Sequence, residues 1–136
     1  MAKIAFIGLG NMGGPMSVNL VKAGNDVTGY DIVPEKIDRV ASGGVTPAAS
    51  NPEAVDGADL VFAMLPTGKE VRHVLVDGDK VLDLVGPDTI VVDSSTTDLG
   101  TTEYVHEQAA SRKIAMIDSP VSGGMAGAEA GTLTFM

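Results

Sequence analysis

The chain of 136 residues has no cysteine and no tryptophan, and only 4% of its residues are aromatic. Without cysteine, neither a disulfide nor a thiolate metal site can form. Cations are also scarce, since 9 lysines and arginines stand against 18 aspartates and glutamates, which gives a net charge of −9. Because no basic stripe is present, we do not expect a nucleic-acid partner.

The sequence also contains no long hydrophobic run, and we expect no leader segment. No apolar run approaches the roughly 20 residues that cross a membrane, so no membrane association is expected. Met1, Ala2 and Lys3 lead directly into a strand-like run, which leaves no room for a signal peptide. We therefore expect a cytoplasmic protein, and the length is that of one domain with a genuine core.

The most informative stretch is the glycine-rich turn within residues 3–13, KIAFIGLGNMG. A strand-length apolar run enters it, and apolar residues return afterwards at helical spacing, so the pattern predicts strand, tight turn and helix. In that setting Gly8 permits the turn, Gly10 lets a diphosphate approach the backbone, and Gly13 lets helix and strand pack closely. The free N–H groups and the dipole at the helix start favour a bound anion.

An acidic residue after the second predicted strand extends this pattern. Asp31 follows residues 27–30, about 20 residues beyond the glycines, where dinucleotide folds bond the adenosine ribose hydroxyls. Its charge would repel a 2′-phosphate, and neither Ile32 nor Val33 supplies a compensating arginine. We therefore expect NAD rather than NADP. The alternative is that Asp31 only opens a polar turn.

The rest of the chain alternates between helices and strands. Further strands are predicted at residues 45–46, 60–65, 89–92 and 114–117, and helices begin near Pro34, Asn51, Thr67, Val81 and Asp98. The continuous apolar run at residues 60–65 should be buried on both faces. This alternation with short links predicts an α/β fold, a Rossmann-type doubly wound parallel sheet.

Ligands of such a sheet bind beyond the carboxyl ends of its strands. That rule selects the glycine turn, Asp31, and the segments at residues 65–67 and 94–96. After the last predicted strand come Ser122, Gly123 and Gly124, followed by a helix-prone run. From the residues alone, this segment is either a second anion-binding turn or an ordinary one.

Five motifs in chain order resemble the β-hydroxyacid dehydrogenase family. They are GLGNMGGPM from Gly8, MLP from Met64, DSST from Asp93, DSPVSGG from Asp118 and GTLTFM from Gly131. The resemblance covers essentially the whole chain. It implies that residues 1–136 are an NAD-binding domain, incomplete at its C-terminal end, which an all-helical domain follows in the family. It also implies a homo-oligomer for the full-length protein.

The resemblance further implies hydride transfer from a small β-hydroxy acid to NAD. It assigns cofactor binding to the glycine turn and to residues at neighbouring strand ends: Gly8, Leu9, Gly10, Asn11, Met12, Gly13, Asp31, Leu65, Pro66 and Thr96. It assigns the substrate carboxylate to Ser122, Gly123 and Gly124. Glu70 stands where family members often carry an amide that reaches the cofactor, and no metal is expected.

No catalytic residue is expected within the chain. In the family a lysine on a later helix handles the proton, and that helix would lie beyond Met136. Three functions stay open: oxidation of 3-hydroxyisobutyrate to methylmalonate semialdehyde in valine degradation, a sister reaction such as tartronate semialdehyde reduction, and non-catalytic dinucleotide binding. The DSST and GTLTFM motifs favour the first. We expect this chain alone to bind NAD weakly and to turn over no substrate.

Overall fold

The computed structural model describes all 136 residues and places six parallel strands in one sheet. The strands are β1 Lys3–Ile7, β2 Asp26–Tyr30, β3 Thr46–Pro47, β4 Leu60–Ala63, β5 Ile90–Asp93 and β6 Ala115–Asp118. Their order is β3-β2-β1-β4-β5-β6. This is the strand order of dinucleotide-binding sheets, which reverses between β1 and β4. The predicted Rossmann-type sheet is confirmed.

Seven helices connect and cover the strands. They are α1 Gly13–Lys22, α2 Pro34–Ala41, α3 Asn51–Val55, α4 Gly68–Arg72, α5 Val81–Leu84, α6 Leu99–Ser111 and α7 Gly124–Ala130. A π-helical turn, His73–Asp77, directly continues α4. Side-chain caps start two helices, since Ser50 accepts from the Glu53 N–H and Asp98 from the Thr101 N–H. None of the helices combines the length and the apolar character needed to cross a membrane.

Alternating side chains of the strands divide the core into two parts. Ala5, Ile7 and Val61 point to the larger part, which contains 17 buried residues contributed largely by β1, α3, α5, α6 and the π-helical turn. Ile4 and Phe6 point to the smaller part, with 8 buried residues beneath α1 and α2. Helices therefore pack on both faces of the sheet, and its carboxyl edge is left for binding.

The prediction that residues 60–65 are buried on both faces is wrong for one face. Val61 and Ala63 are fully buried, whereas Leu60 and Phe62 are only half-buried, because α1 and the short α7 cover their side incompletely. Phe62 stacks on Phe6 and lines an apolar cavity of about 200 Å³. Beyond Ala63 the chain leaves the strand and forms the turn that backs the glycine-rich loop.

A small hairpin near the end of the chain was not predicted. Val121–Ser122 forms β7, which pairs antiparallel with β8, Thr134–Phe135. Strands of two residues carry no periodic signal in the sequence, so the alternation rule could not identify them. Helix α7 lies between the two strands of the hairpin in the chain.

Candidate cofactor site

Two glycines of the loop between β1 and α1 are required by its geometry. Gly8 has φ +94°, and a Cβ there would lie 2.2 Å from the carbonyl oxygen of Met64. A Cβ on Gly13 would lie 1.9 Å from the carbonyl oxygen of Gly8. The turn and the close approach of helix to strand predicted for these positions are both present, and any larger residue would force them apart.

Gly10 differs because the space beside it is open. The atom nearest to a Cβ at this position would be Nζ of Lys36, at 3.9 Å. The backbone N–H groups of Gly10, Asn11 and Met12 donate to no acceptor within the chain. These donors precede a helix of 10 residues, whose dipole adds positive potential at the same point. The loop is therefore a fitting cradle for the diphosphate of a dinucleotide.

The Asp31 carboxylate is fixed beside this loop by two backbone N–H groups. Oδ2 accepts a hydrogen bond from the N–H of Leu9 at 2.8 Å, and Oδ1 accepts from the N–H of Val33 at 2.9 Å. Each carboxylate oxygen can accept a further bond. Asp31 therefore joins β2 to the glycine turn and keeps acceptor capacity for the hydroxyls of a ribose.

These parts line one cleft of about 760 Å³ at the carboxyl edge of the sheet. Nine of the ten residues expected to hold the cofactor line it: Gly8, Gly10, Asn11, Met12, Gly13, Asp31, Leu65, Pro66 and Thr96. Leu9 is the exception, because its side chain is buried under the loop and only its N–H takes part. The structure thus brings nearly all of the predicted cofactor-binding residues together in one cleft.

A buried polar network supports the wall formed by Leu65 and Pro66. The Ser95 hydroxyl accepts a hydrogen bond from the Leu65 N–H at 2.9 Å, and Asp93 Oδ1 accepts from the Ser95 N–H at 3.0 Å. Burial raises the pKa of the Asp93 carboxyl above its ordinary value, although the hydrogen bonds from Ser95 oppose the rise. Ser95 therefore positions Leu65, which follows β4 in the wall of the cleft. The sequence did not indicate this role.

Several polar residues line the cleft although the sequence did not indicate a role for them at the cofactor. Asn51, Lys36, Lys69, His73 and Asp79 all line it. The sequence signal for them is weak, because whether a short helix turns a side chain toward a ligand depends on how the helix packs. The π-helical turn is the one structural sign, since such turns often occur at functional sites.

Glu70 also lines the cleft, at the position where an amide was expected in relatives. Its carboxylate accepts a hydrogen bond from the Thr67 hydroxyl, and that bond is the main reason why its pKa lies below the ordinary value. Thr67 makes no side-chain bond to the backbone of the helix. The side chains of Thr67 and Glu70 therefore bond to each other at the start of α4, which leaves Glu70 ionised at the rim of the cleft.

Ser122, Gly123 and Gly124 do not line this cleft. They follow β6 at the same edge of the sheet, with Ser122 paired to Thr134 in the hairpin. The helix after them, α7, is anchored to α1 by the Asn19 side-chain amide, which donates to the carbonyl of Ala128 at 2.6 Å. Their expected role with a substrate carboxylate stays a prediction.

Comparison with known proteins gives a consistent result. Residues 3–136 match the family model described as the NAD binding domain of 6-phosphogluconate dehydrogenase. An NAD-dependent L-serine dehydrogenase of Pseudomonas aeruginosa is 46% identical over all of this chain and 46% of its own length. A 3-hydroxyisobutyrate dehydrogenase of the same organism is 41% identical, again over all of this chain and 46% of its own length.

A solved structure agrees with these relatives. The 3-hydroxyisobutyrate dehydrogenase of Mycobacterium tuberculosis, with L-serine, superposes with a TM-score of 0.95 at 48% identity, over all of this chain and 46% of that one. The chain spans about half the length of the curated relatives it matches. The resemblance deduced from the five motifs is confirmed.

Proposed function

Because the chain belongs to the family of the NAD binding domain of 6-phosphogluconate dehydrogenase, we propose that it binds NAD for the oxidation of a short β-hydroxy acid. The proposed substrate is 3-hydroxyisobutyrate, which becomes methylmalonate semialdehyde, a step of valine degradation. The observation that carries the proposal is the row of free N–H groups at Gly10, Asn11 and Met12 beside the fixed Asp31 carboxylate.

The order of the strands orients the cofactor in this proposal. Asp31 follows β2, the glycine loop follows β1, Leu65 follows β4 and Thr96 follows β5, so these residues form a row along the sheet edge. The adenosine ribose would lie at Asp31, the diphosphate at Gly10 and the nicotinamide ribose toward Thr96. Bound NAD supplies the hydride acceptor, and the chain supplies binding and orientation.

L-Serine is a second candidate substrate. Like 3-hydroxyisobutyrate, it carries a hydroxymethyl group on the carbon that bears the carboxylate. The dehydrogenase relative at 46% identity is named for L-serine, and the solved relative at 48% identity contains it. For either acid, we propose that Ser122, Gly123 and Gly124 bind the carboxylate.

The proposal concerns the cofactor-binding part of such an enzyme. The chain covers 46% of the length of the L-serine dehydrogenase relative. General acid–base help requires a group within hydrogen-bond reach of the reacting hydroxyl. We assign that role to none of the residues described, so the 136-residue chain should turn over no substrate by itself.

Two measurements test the proposal. Titration of NAD and NADH against the 136-residue chain should give saturable binding, and the complete gene product should form NADH from 3-hydroxyisobutyrate or from L-serine. The ratio of kcat/KM for the two acids identifies the substrate, and tartronate semialdehyde with NADH tests the sister reaction. If neither dinucleotide binds, the proposed function is wrong. NADH formation by the 136-residue chain alone would contradict the need for a group outside it.

A further inference from the structure

We propose that Lys36 is a second determinant of cofactor binding. Its ammonium attracts the phosphate charge of the dinucleotide, and the Asp31 carboxylate opposes the attraction of the same cation for the 2′-phosphate of NADP. The inference rests on the proposed function and extends it to cofactor choice.

The Lys36 ammonium lies beside the glycine loop. Nζ lies 3.9 Å from the point that a Cβ on Gly10 would occupy, so it stands over the one open position of the glycine loop. Lys36 and Asp31 line the same cleft. A phosphate bound at the free N–H groups of the loop would therefore lie close to the Lys36 ammonium.

Lys36 forms no ion pair within the protein. The chain has twice as many acidic as basic residues, 18 against 9, yet no carboxylate lies within 4 Å of Nζ of Lys36. Its position in the first turn of α2 offers no compensation, because a cation there opposes the helix dipole. A cation that lacks both a protein partner and a favourable local field is suited to an anionic ligand.

The Asp31 carboxylate is held in one orientation by backbone hydrogen bonds. Its two oxygens are held by the N–H groups of Leu9 and Val33, so the carboxylate does not turn to pair with Lys36. Removal of the carboxylate would free these two N–H groups in the same cleft as the Lys36 ammonium. These donors would then favour a phosphate where the carboxylate had repelled it.

The test compares four forms of the 136-residue chain by NADH and NADPH fluorescence titration: unchanged, Lys36→Met, Asp31→Ala and the double variant. Lys36→Met should weaken NADH binding about tenfold, as loss of a charge-assisted bond would, and should flatten its salt dependence. Asp31→Ala should gain NADPH affinity, and the double variant should lose that gain. Lys36→Arg should restore binding, and Lys22→Met, on the exposed end of α1, should change nothing.

The results separate the role of Lys36 from the binding of the dinucleotide itself. If the unchanged chain binds NADH and Lys36→Met binds it equally well, the inference is wrong while the proposed function stands. An NADPH gain in Asp31→Ala that persists in the double variant would likewise remove Lys36 from cofactor choice. If the unchanged chain binds neither dinucleotide, the proposed function fails and takes the inference with it.

Discussion

The backbone N–H of Leu9 donates a hydrogen bond to Oδ2 of Asp31 at 2.8 Å, and this bond ties the glycine loop to the end of the neighbouring strand. The second oxygen of the same carboxylate accepts from Val33, which leads into α2. Asp31 thus holds the shape of the site and, in the proposed complex, touches the cofactor. Its two roles can be separated by experiment.

Replacement of Asp31 by alanine should affect both selectivity and stability. The lost acceptor should weaken NADH binding, and the lost negative charge should reduce the preference for NADH over NADPH by at least tenfold. Because two N–H groups lose their acceptor, the free energy of unfolding should also fall by about 1–3 kcal/mol. Dinucleotide titration and urea unfolding measure the two effects. An unchanged NADH preference would show that Asp31 does not determine cofactor choice.

Gly13→Ala should destabilise the fold. The new Cβ would meet the Gly8 carbonyl oxygen at 1.9 Å, so α1 must move away from β1. We expect a loss of about 1–3 kcal/mol, as for other overpacked sites, measured by urea unfolding. Gly86→Ala is the matched control, because nothing lies within 4 Å of a Cβ at that position. Equal stability of the two variants would contradict the close packing described.

Ser95→Ala tests the support of the cleft wall. The substitution removes the acceptor of the Leu65 N–H, so the free energy of unfolding should fall by about 1–3 kcal/mol and NADH should bind more weakly. Ser42→Ala serves as the control, since the exposed Ser42 hydroxyl donates only to the carbonyl of Arg39. If Ser95→Ala binds NADH normally, the network does not position the wall.

Asp93→Asn should change how stability depends on pH. Burial raises the pKa of Asp93 in the folded state, so the protonated form favours folding and this advantage is lost as the pH rises through the raised pKa. The variant, which has no charge to bury, should therefore gain stability relative to the unchanged chain as the pH rises above about 3.8. Urea unfolding from pH 3 to pH 7 gives the comparison. A difference independent of pH would show that the carboxyl does not titrate abnormally.

The sequence predicted best the parts that short-range chemistry determines. Asp31 could be located because a strand, a glycine turn and an acid at a fixed spacing have one joint explanation. Lys36 could not, since its direction depends on the packing of α2 against the loop. Phe62 was expected to be fully buried because an apolar run records hydrophobicity but does not show how completely a helix covers it. The hairpin of β7 and β8 depends on a contact between distant residues that no local pattern reveals.

Gly10→Ala tests the central claim most directly, because it places a methyl group in the proposed diphosphate position with no clash against the rest of the chain. A Cβ there has only Lys36 Nζ within 4 Å. The free energy of unfolding should therefore stay within about 0.5 kcal/mol of the value for the unchanged chain. Calorimetric titration should then show NADH binding weakened at least tenfold in a folded protein. Unchanged NADH affinity in the folded Gly10→Ala variant would contradict the account, because the dinucleotide would not lie over this loop.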